Sequence, residues 1–377
     1  MSDKKTVLLI ADNLRIGGIE RNVLDQAYAL SDLGIGVKIF VFDLNARLNV
    51  KDLIKLEKEI IERKKIEICQ FPRGILQGIS FLKRHLNLNN FLLIIDNSIK
   101  ATPLLFFAKK ISKNRTPVHC VIQQFPSLSE PKQRFKRMFY AQFSDRIIIN
   151  SINYKSDWDF HVNKNFISKL FFKKKTHLIR NGVYIQRLNI LKSRPLPDKM
   201  PKIRFIFIGR LKEWKGLKNF QILDEVAEKK ADFLIYTPIK DPIYIEKFQR
   251  DFGSRIEFKF GMTLSDYYPR KGDIHFYPVE YPVEFVECES MSTNVIEMSL
   301  LKIPSLVTAG GTKNWPEIVS SNLIEEVIWS NKESIENAIK CANSKEVNLS
   351  NYQKLLEACD IKRNIKEHFS LSKLKIV

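Results

Sequence analysis

The chain has 377 residues, with 62 Lys plus Arg against 42 Asp plus Glu and a formal net charge of +20 at pH 7. Its 44% hydrophobic and 28% charged residues exclude a disordered protein, and its length accommodates two ordinary domains, each with its own core. Five scattered cysteines, Cys69, Cys120, Cys288, Cys341 and Cys359, support neither a disulfide framework nor a zinc site. The first apolar run, Thr6–Ala11, is too short for a signal peptide, and no run approaches the ~20 apolar residues of a membrane span, so the cytoplasm is the expected compartment. The positive excess asks for an anionic partner: nucleic acid, acidic lipid or a phosphate-bearing substrate. General enrichment in Lys, Asn and Ile is a competing origin for part of it.

In chain order, Thr6–Ala11 is a continuous apolar run, as expected of a parallel strand buried on both faces. It leads into Gly17-Gly18 and then a helical pattern from Ile19 to Leu30, with Gly34 as a stop. Strand, Gly-Gly, helix is how a backbone approaches a diphosphate at a helix N-terminus; a simple turn is the alternative. Strands are predicted at Val37–Phe42, Phe91–Ile95, Pro117–Ile122 and Arg146–Ser151, and helices at Val50–Lys65 and Thr102–Ile111. Gln123 and Gln124 end the third of those strands. Either can serve as a polar contact but neither as a base. His119 is expected to point into the strand's own packing. Glu130–Phe143 reads as a helix that places Lys132, Arg134, Lys136 and Arg137 among Phe135, Met138, Phe139 and Tyr140. Such a segment suits an acceptor or an anionic membrane surface, and the KLFFKKK run at Lys169–Lys175 points the same way. A solvated helix and nucleic-acid binding are the alternatives. Asn181-Gly182 is by local rules a turn, and the Pro-rich stretch Ser193–Lys202 reads as a linker.

Ile203–Ile208 opens the second half as a clear strand, followed by Gly209-Arg210-Leu211-Lys212-Glu213-Trp214-Lys215-Gly216 and a helical pattern from Leu217 to Lys229. Arg210 offers a planar fork for phosphate oxygens and Lys215 a mobile point charge, so together they can neutralise a diphosphate without metal. Strands are predicted at Phe233–Tyr236, Arg255–Gly261 and Asp273–Pro278. An acidic insert with Glu280, Glu284 and Glu287 follows, read as a surface loop. The stretch Glu289–Glu317 then combines two glutamates, Glu289 and Glu297, with a buried helix. Asn294 reads as its N-cap, with Glu297 closing a capping box. The N–H groups of Ser290 to Asn294 are expected to be free for an anion. The capping box needs no ligand, so the glutamate spacing alone leaves the function open. The C-terminal stretch Tyr352–Val377 reads as helical segments.

The stretch E-x7-E, Ile303-Pro304-Ser305-Leu306-Val307, Gly310-Gly311 and Glu317 resembles the donor-site signature of the family 4 glycosyltransferases. GGIER at Gly17–Arg21 resembles that family's GGAER-type opening, GRLKEWKG its GR-x4-KG phosphate loop, and Asn181-Gly182-Val183 its NGV element. The resemblance runs over nearly the whole chain in the expected order. It departs where a His often stands near Gln123, and at Thr237-Pro238, where glycines are frequent. It implies an α/β fold in the GT-B arrangement, two doubly wound parallel-sheet domains facing a central cleft. The expected boundaries are 1–194 for an acceptor-binding domain, 195–202 for the linker and 203–360 for the nucleotide-sugar domain, with 361–377 returning to the first domain. The implied activity is retaining, metal-independent hexosyl transfer from a UDP- or GDP-linked sugar to a glycan or lipid-linked acceptor, as in bacterial surface polysaccharide or lipopolysaccharide synthesis, with no cofactor and no nucleic acid. Glu289, Arg210 and Lys215 are implied as catalytic. Gly17, Gly18, Ser290, Asn294 and Glu297 join Arg210 and Lys215 in binding the donor. The alternatives are a nucleotide-sugar epimerase of the same fold and a non-enzymatic protein that binds membrane or nucleic acid.

Overall fold

The structure, a computed structural model, describes all residues except 1–4, 15–17, 44–60, 124–130, 165–168, 170–171, 173–174, 193–201, 238–239, 261–266, 268, 271, 280–291, 310–311, 313–315, 345–346 and 375–377. The chain divides into two compact units, Met1–Tyr184 with Asp360–Val377, and Ile185–Cys359. The division falls at Tyr184, ahead of the Pro-rich 195–202 stretch. The reason is the helix Ile185–Lys192: its Leu188 and Arg187 are buried, and Arg187 pairs with Glu297 of the second unit.

The first unit carries seven strands: β1 (Thr6–Ala11), β2 (Gly36–Val41), β3 (Glu67–Gln70), β4 (Phe91–Asp96), β5 (Val118–Ile122), β6 (Arg146–Ile149) and β7 (Thr176–Leu178). They form one sheet in the order β3-β2-β1-β4-β5-β6-β7, and every pairing in it is parallel. β1 is apolar from Val7 to Ala11 because both of its faces are covered. Val7, Leu9 and Ala11 enter one core with Val23, Ala27 and Leu30 of the helix Gly18–Asp32. Leu8 and Ile10 enter another with Leu82 and Leu86 of the helix Ile75–Leu88. Alternate residues of a strand thus feed two cores.

The last helix, Ile361–Leu371, closes the first of those cores. Asp360 caps it by accepting from the N–H of Lys362 at 2.9 Å. Ile361, Asn364, Ile365, His368 and Phe369 form its buried stripe, at helical spacing. The chain reaches it past Gly182, where a Cβ would lie 2.7 Å from Cα of Ile361. Asn181-Gly182 is therefore not just a turn: Val183 bridges Asp360 in parallel, and its carbonyl accepts from the N–H of Ile361 at 3.1 Å.

The second unit carries β8 (Arg204–Ile208), β9 (Asp232–Thr237), β10 (Ile256–Phe260), β11 (Asp273–Tyr277), β12 (Ser305–Thr308) and β13 (Ile324–Val327) in one parallel sheet, order β10-β9-β8-β11-β12-β13. Its core is built on phenylalanine: Phe205, Phe207, Phe220, Phe233, Phe248, Phe252 and Phe276 all lie in one cluster. The ring of Phe220 is 4.7 Å from that of Phe276 and 4.8 Å from that of Phe248. Each buried ring contributes about 1.5–3 kcal/mol from burial alone.

Candidate functional site

In each sheet the chain winds outward from a first strand in one direction and then returns to wind in the other. The reversal lies between β1 and β4 in the first sheet and between β8 and β11 in the second. Loops leaving the carboxyl ends of such a strand pair diverge and leave a crevice, the usual ligand position in open parallel sheets.

At the second reversal, β8 runs into Gly209-Arg210 and then a single 3-10 turn, Glu213–Lys215. Gly216 ends that turn at φ +71°, and a Cβ there would sit 1.7 Å from the carbonyl oxygen of Pro278. Only glycine allows this approach. The contact presses the loop after β8 against the end of β11. Lys215 is held there too: its Nζ donates to Tyr277 Oη at 2.8 Å and lies 4.8 Å from the centre of the Tyr277 ring. The lysine is therefore an anchored cation, not the mobile charge expected from its side chain. Arg210 is exposed directly beyond β8.

The helix Thr293–Leu300 begins at the same place. Its N-cap is Ser292, with no side-chain capping bond, which corrects the capping-box expectation. Asn294 lies inside the first turn and donates from Nδ2 to the carbonyl of Ile208, the last residue of β8, at 2.9 Å. A strand-end carbonyl buried beneath a helix must find a donor, and that need outcompetes the local cap. Glu297 is only 4% exposed and accepts from Arg187 Nη2 at 2.5 Å. The first N–H groups of the helix have no intrahelical acceptor and carry its positive end. Two cations and a helix N-terminus thus gather at the carboxyl ends of β8 and β11. Arg187 and Tyr277 carry no local sequence signal for their roles. Glu289, Ser290, Gly17, Gln124, Gly310, Gly311 and the acidic residues Glu280, Glu284 and Glu287 lie outside the described residues.

Among the described residues, the first reversal holds a balanced ion pair, Asp12 with Lys100 at 2.9 Å, and a row of amides, where the second is cationic. Asp96 ends β4 fully buried and accepts from Ser98 N at 3.0 Å, Ser98 Oγ at 2.7 Å and Thr102 Oγ1 at 2.7 Å. Burial pushes its carboxyl above the usual carboxylate range, against the pull of those hydrogen bonds. Beside it, side-chain amides run across the strand ends: Asn150 Nδ2 donates to Gln123 Oε1 at 2.7 Å, and Gln123 Nε2 donates to Asn97 Oδ1 at 3.0 Å. Gly18 is the exposed first residue of its helix at this end of the sheet. His119 is enclosed, as its place in β5 predicts. Its Nδ1 is 2.8 Å from Nδ1 of His368, and its Nε2 is 2.8 Å from Ser372 Oγ.

The basic segment resolves into two faces. Helix Pro131–Ala141 exposes Lys132 and Lys136 but turns Arg134 inward, 8% exposed, onto Asp157 and His161. Arg134 is thus a structural ion-pair partner and not part of a surface for an acceptor or membrane; Arg137 is half-buried. In the Lys169–Lys175 run, Phe172 packs edge-on against buried Trp158, so that residue serves the core. Among the described residues there is no group of three or more His, Cys, Asp or Glu able to hold a metal ion, and no helix long and apolar enough to cross a membrane.

No protein-family model and no curated protein matches the sequence. Solved structures do match the fold over almost the full length. A glycosyltransferase from Rickettsia africae superposes with a TM-score of 0.69 at 14% identity, covering 99% of this chain and 100% of that one. The fold is that of the GT-B glycosyltransferases. HepE of Anabaena, solved with UDP, gives 0.63 at 15% identity with 98% and 100% covered. The lipopolysaccharide outer core galactosyltransferase WaaB gives 0.60 at 13% identity over 98% and 100%. This GT-B chain keeps two parallel-sheet α/β units, of seven and six strands.

Proposed function

We propose that the protein is a retaining glycosyltransferase of the family 4 type, moving a hexosyl group from a UDP- or GDP-linked sugar to a glycan or lipid-linked acceptor in surface polysaccharide or glycolipid synthesis. The observation that carries the reading is the meeting of Arg210, Lys215 and the N-terminus of the helix Thr293–Leu300 at the ends of β8 and β11. That arrangement answers a diphosphate. HepE, with the same fold, has been solved with UDP and with UDP-glucose.

In the reaction the bond between the sugar's anomeric carbon and the diphosphate oxygen breaks, and negative charge grows on the leaving diphosphate. Arg210 and anchored Lys215 stabilise that charge, the largest electrostatic demand of the step. The acceptor hydroxyl forms the new bond on the face from which the diphosphate departs, and the diphosphate takes its proton. Glu289 orients the sugar and Glu297 the ribose, with Arg187 fixing the direction of the Glu297 carboxylate. The resemblance also implies a donor-binding role for Gly17 and Gly18. No metal is required by this scheme.

The test is a thermal-shift titration with UDP, GDP, ADP and CDP, since a ligand at 100 times its Kd stabilises by about 2.7 kcal/mol. One nucleotide should raise the melting temperature of the parent, and Arg210→Ala, an exposed substitution that changes stability by no more than about 0.5 kcal/mol, should abolish most of that rise. A full nucleotide response in Arg210→Ala would remove the assigned role. Product analysis with the donor alone separates transfer from epimerisation, because an epimerase turns over without an acceptor.

A further inference from the structure

Helices Ala101–Ser112 and Pro131–Ala141 lie side by side on the first unit. Between them, aromatic rings form one continuous path. Phe106 is 5.5 Å from Phe107 and 5.2 Å from Phe143, Phe143 is 5.4 Å from Phe139, and Phe139 is 6.3 Å from Phe135. This path is largely uncovered: Phe135 is 72% exposed, Phe107 48% and Phe139 46%, and Ile111 at the end of the first helix is 56% exposed. A single exposed apolar residue is ordinary, but a joined run of this kind marks an interaction surface.

The charges on the two helices are of one sign. Neither helix contains an acidic residue, whereas Lys109, Lys110, Lys132 and Lys136 flank the rings. Lys110 Nζ stands 5.6 Å from the centre of Phe106, and Lys136 Nζ 5.6 Å from that of Tyr140. Asp145, close by, is bound by Lys109 at 2.9 Å. Lysines whose alkyl stems lie along aromatic rings can keep their ammonium groups in the headgroup layer while the rings enter the acyl boundary.

We propose that this ridge seats the first unit on an anionic bilayer surface. Nucleic acid is disfavoured because the exposed apolar surface includes Ile111, which has no use in base stacking. The helix Pro131–Ala141 follows β5, so Phe135 in its second turn lies toward the sheet edge where Asn97, Gln123 and Asn150 stand, and the ridge leads away from that edge. On the transferase reading, the acceptor is therefore one carried on a lipid of the same bilayer. The membrane contact itself does not depend on that reading.

The experiment is co-sedimentation of the full-length protein with phosphatidylcholine vesicles, with and without phosphatidylglycerol, at low and high salt, with single-stranded RNA as a parallel probe. The parent should bind the anionic vesicles at low salt. Phe135→Ser/Phe139→Ser should weaken that binding by about tenfold or more, since it deletes two insertable rings, and Lys132→Glu/Lys136→Glu should weaken it and flatten its salt dependence. Both variants change exposed positions, and unchanged circular-dichroism melting verifies their fold. Absence of binding to anionic vesicles, undiminished binding by the phenylalanine variant, or stronger binding to RNA than to vesicles would each overturn the proposal. Failure of the transferase reading shows in the nucleotide titration instead, so the two results are separable.

Discussion

The two reversal points of this protein share a topology and differ in chemistry. After β8 and β11 stand Arg210, Lys215 and a helix N-terminus; after β4, β5 and β6 stand the neutral amides Asn97, Gln123 and Asn150 and the buried Asp96. Parallel α/β topology therefore supplies two crevices of one kind, and side-chain charge decides which one attracts an anion. Cations at a strand end suit a phosphate, whereas an amide row offers matched donors and acceptors for uncharged hydroxyl groups.

The comparison can be broken most severely from the second unit. Arg187→Ala removes the ion-pair partner of Glu297, which is only 4% exposed. A loss of about 3–5 kcal/mol is expected, readable by urea denaturation, with Arg187→Met/Glu297→Leu recovering part of it. If Arg187→Ala is as stable as the parent, the pair does not hold the helix Ile185–Lys192 to this unit. Gly216→Ala comes next, since a Cβ would lie 1.7 Å from the Pro278 carbonyl oxygen at φ +71°. The loop must shift, at a cost of about 3 kcal/mol, and the nucleotide response should fall with it; an unchanged response would show that the close approach to β11 is dispensable.

In the first unit the expected effects are smaller. Gln123→Leu takes partners from both Asn97 and Asn150 and should cost about 1–3 kcal/mol. The nucleotide-induced rise in melting temperature should survive, because Arg210 and Lys215 belong to the other unit; its loss would mean that the two sites are not chemically independent.

The smallest effect per step is a slope with pH. Burial lowers the His119 ring to about 2, with His368 adding to the shift, and burial lowers His368 to about 3. His275 in the second unit is lowered by burial to about 3. These rings stay neutral in the folded protein while the unfolded chain takes up protons below about pH 6.5. Stability is therefore full above that pH and falls on acidification toward pH 3, by at most about 1.4 kcal/mol per pH unit for each ring. His368→Gln should flatten the first unit's share of the slope in acid denaturation followed by circular dichroism. An identical slope would show that the His119–His368 contact does not couple to folding.

Several features could be read from residue order because they rest on local, repeated patterns. β1 matches its predicted limits at Thr6 and Ala11, and β4, β5, β8, β9 and β11 fall within a residue or two of theirs. A buried parallel strand is apolar at every position, and that signal survives without tertiary information. β3 and the helix Ile75–Leu88 carried less. The strand has four residues at the sheet edge, all at least partly exposed, and the helix begins after Gly74 with no side-chain cap. The basic helix was legible in position but not in orientation, because an inward Arg134 depends on Asp157 and His161 lying on a later helix.

Residue order alone thus determined the two parallel-sheet units, the Gly-bounded cationic loop after β8 and the helix that starts beside it. Tertiary structure decided how each polar group is used. It turned Asn294 from a cap into the donor for the Ile208 carbonyl, paired Glu297 with Arg187, and fixed Lys215 on Tyr277. It also placed Gly182 against Ile361, where no side chain fits. The physical reason is the same in each case: a buried polar group must find a partner, and the partner that wins is one that folding brings near from a distant part of the chain.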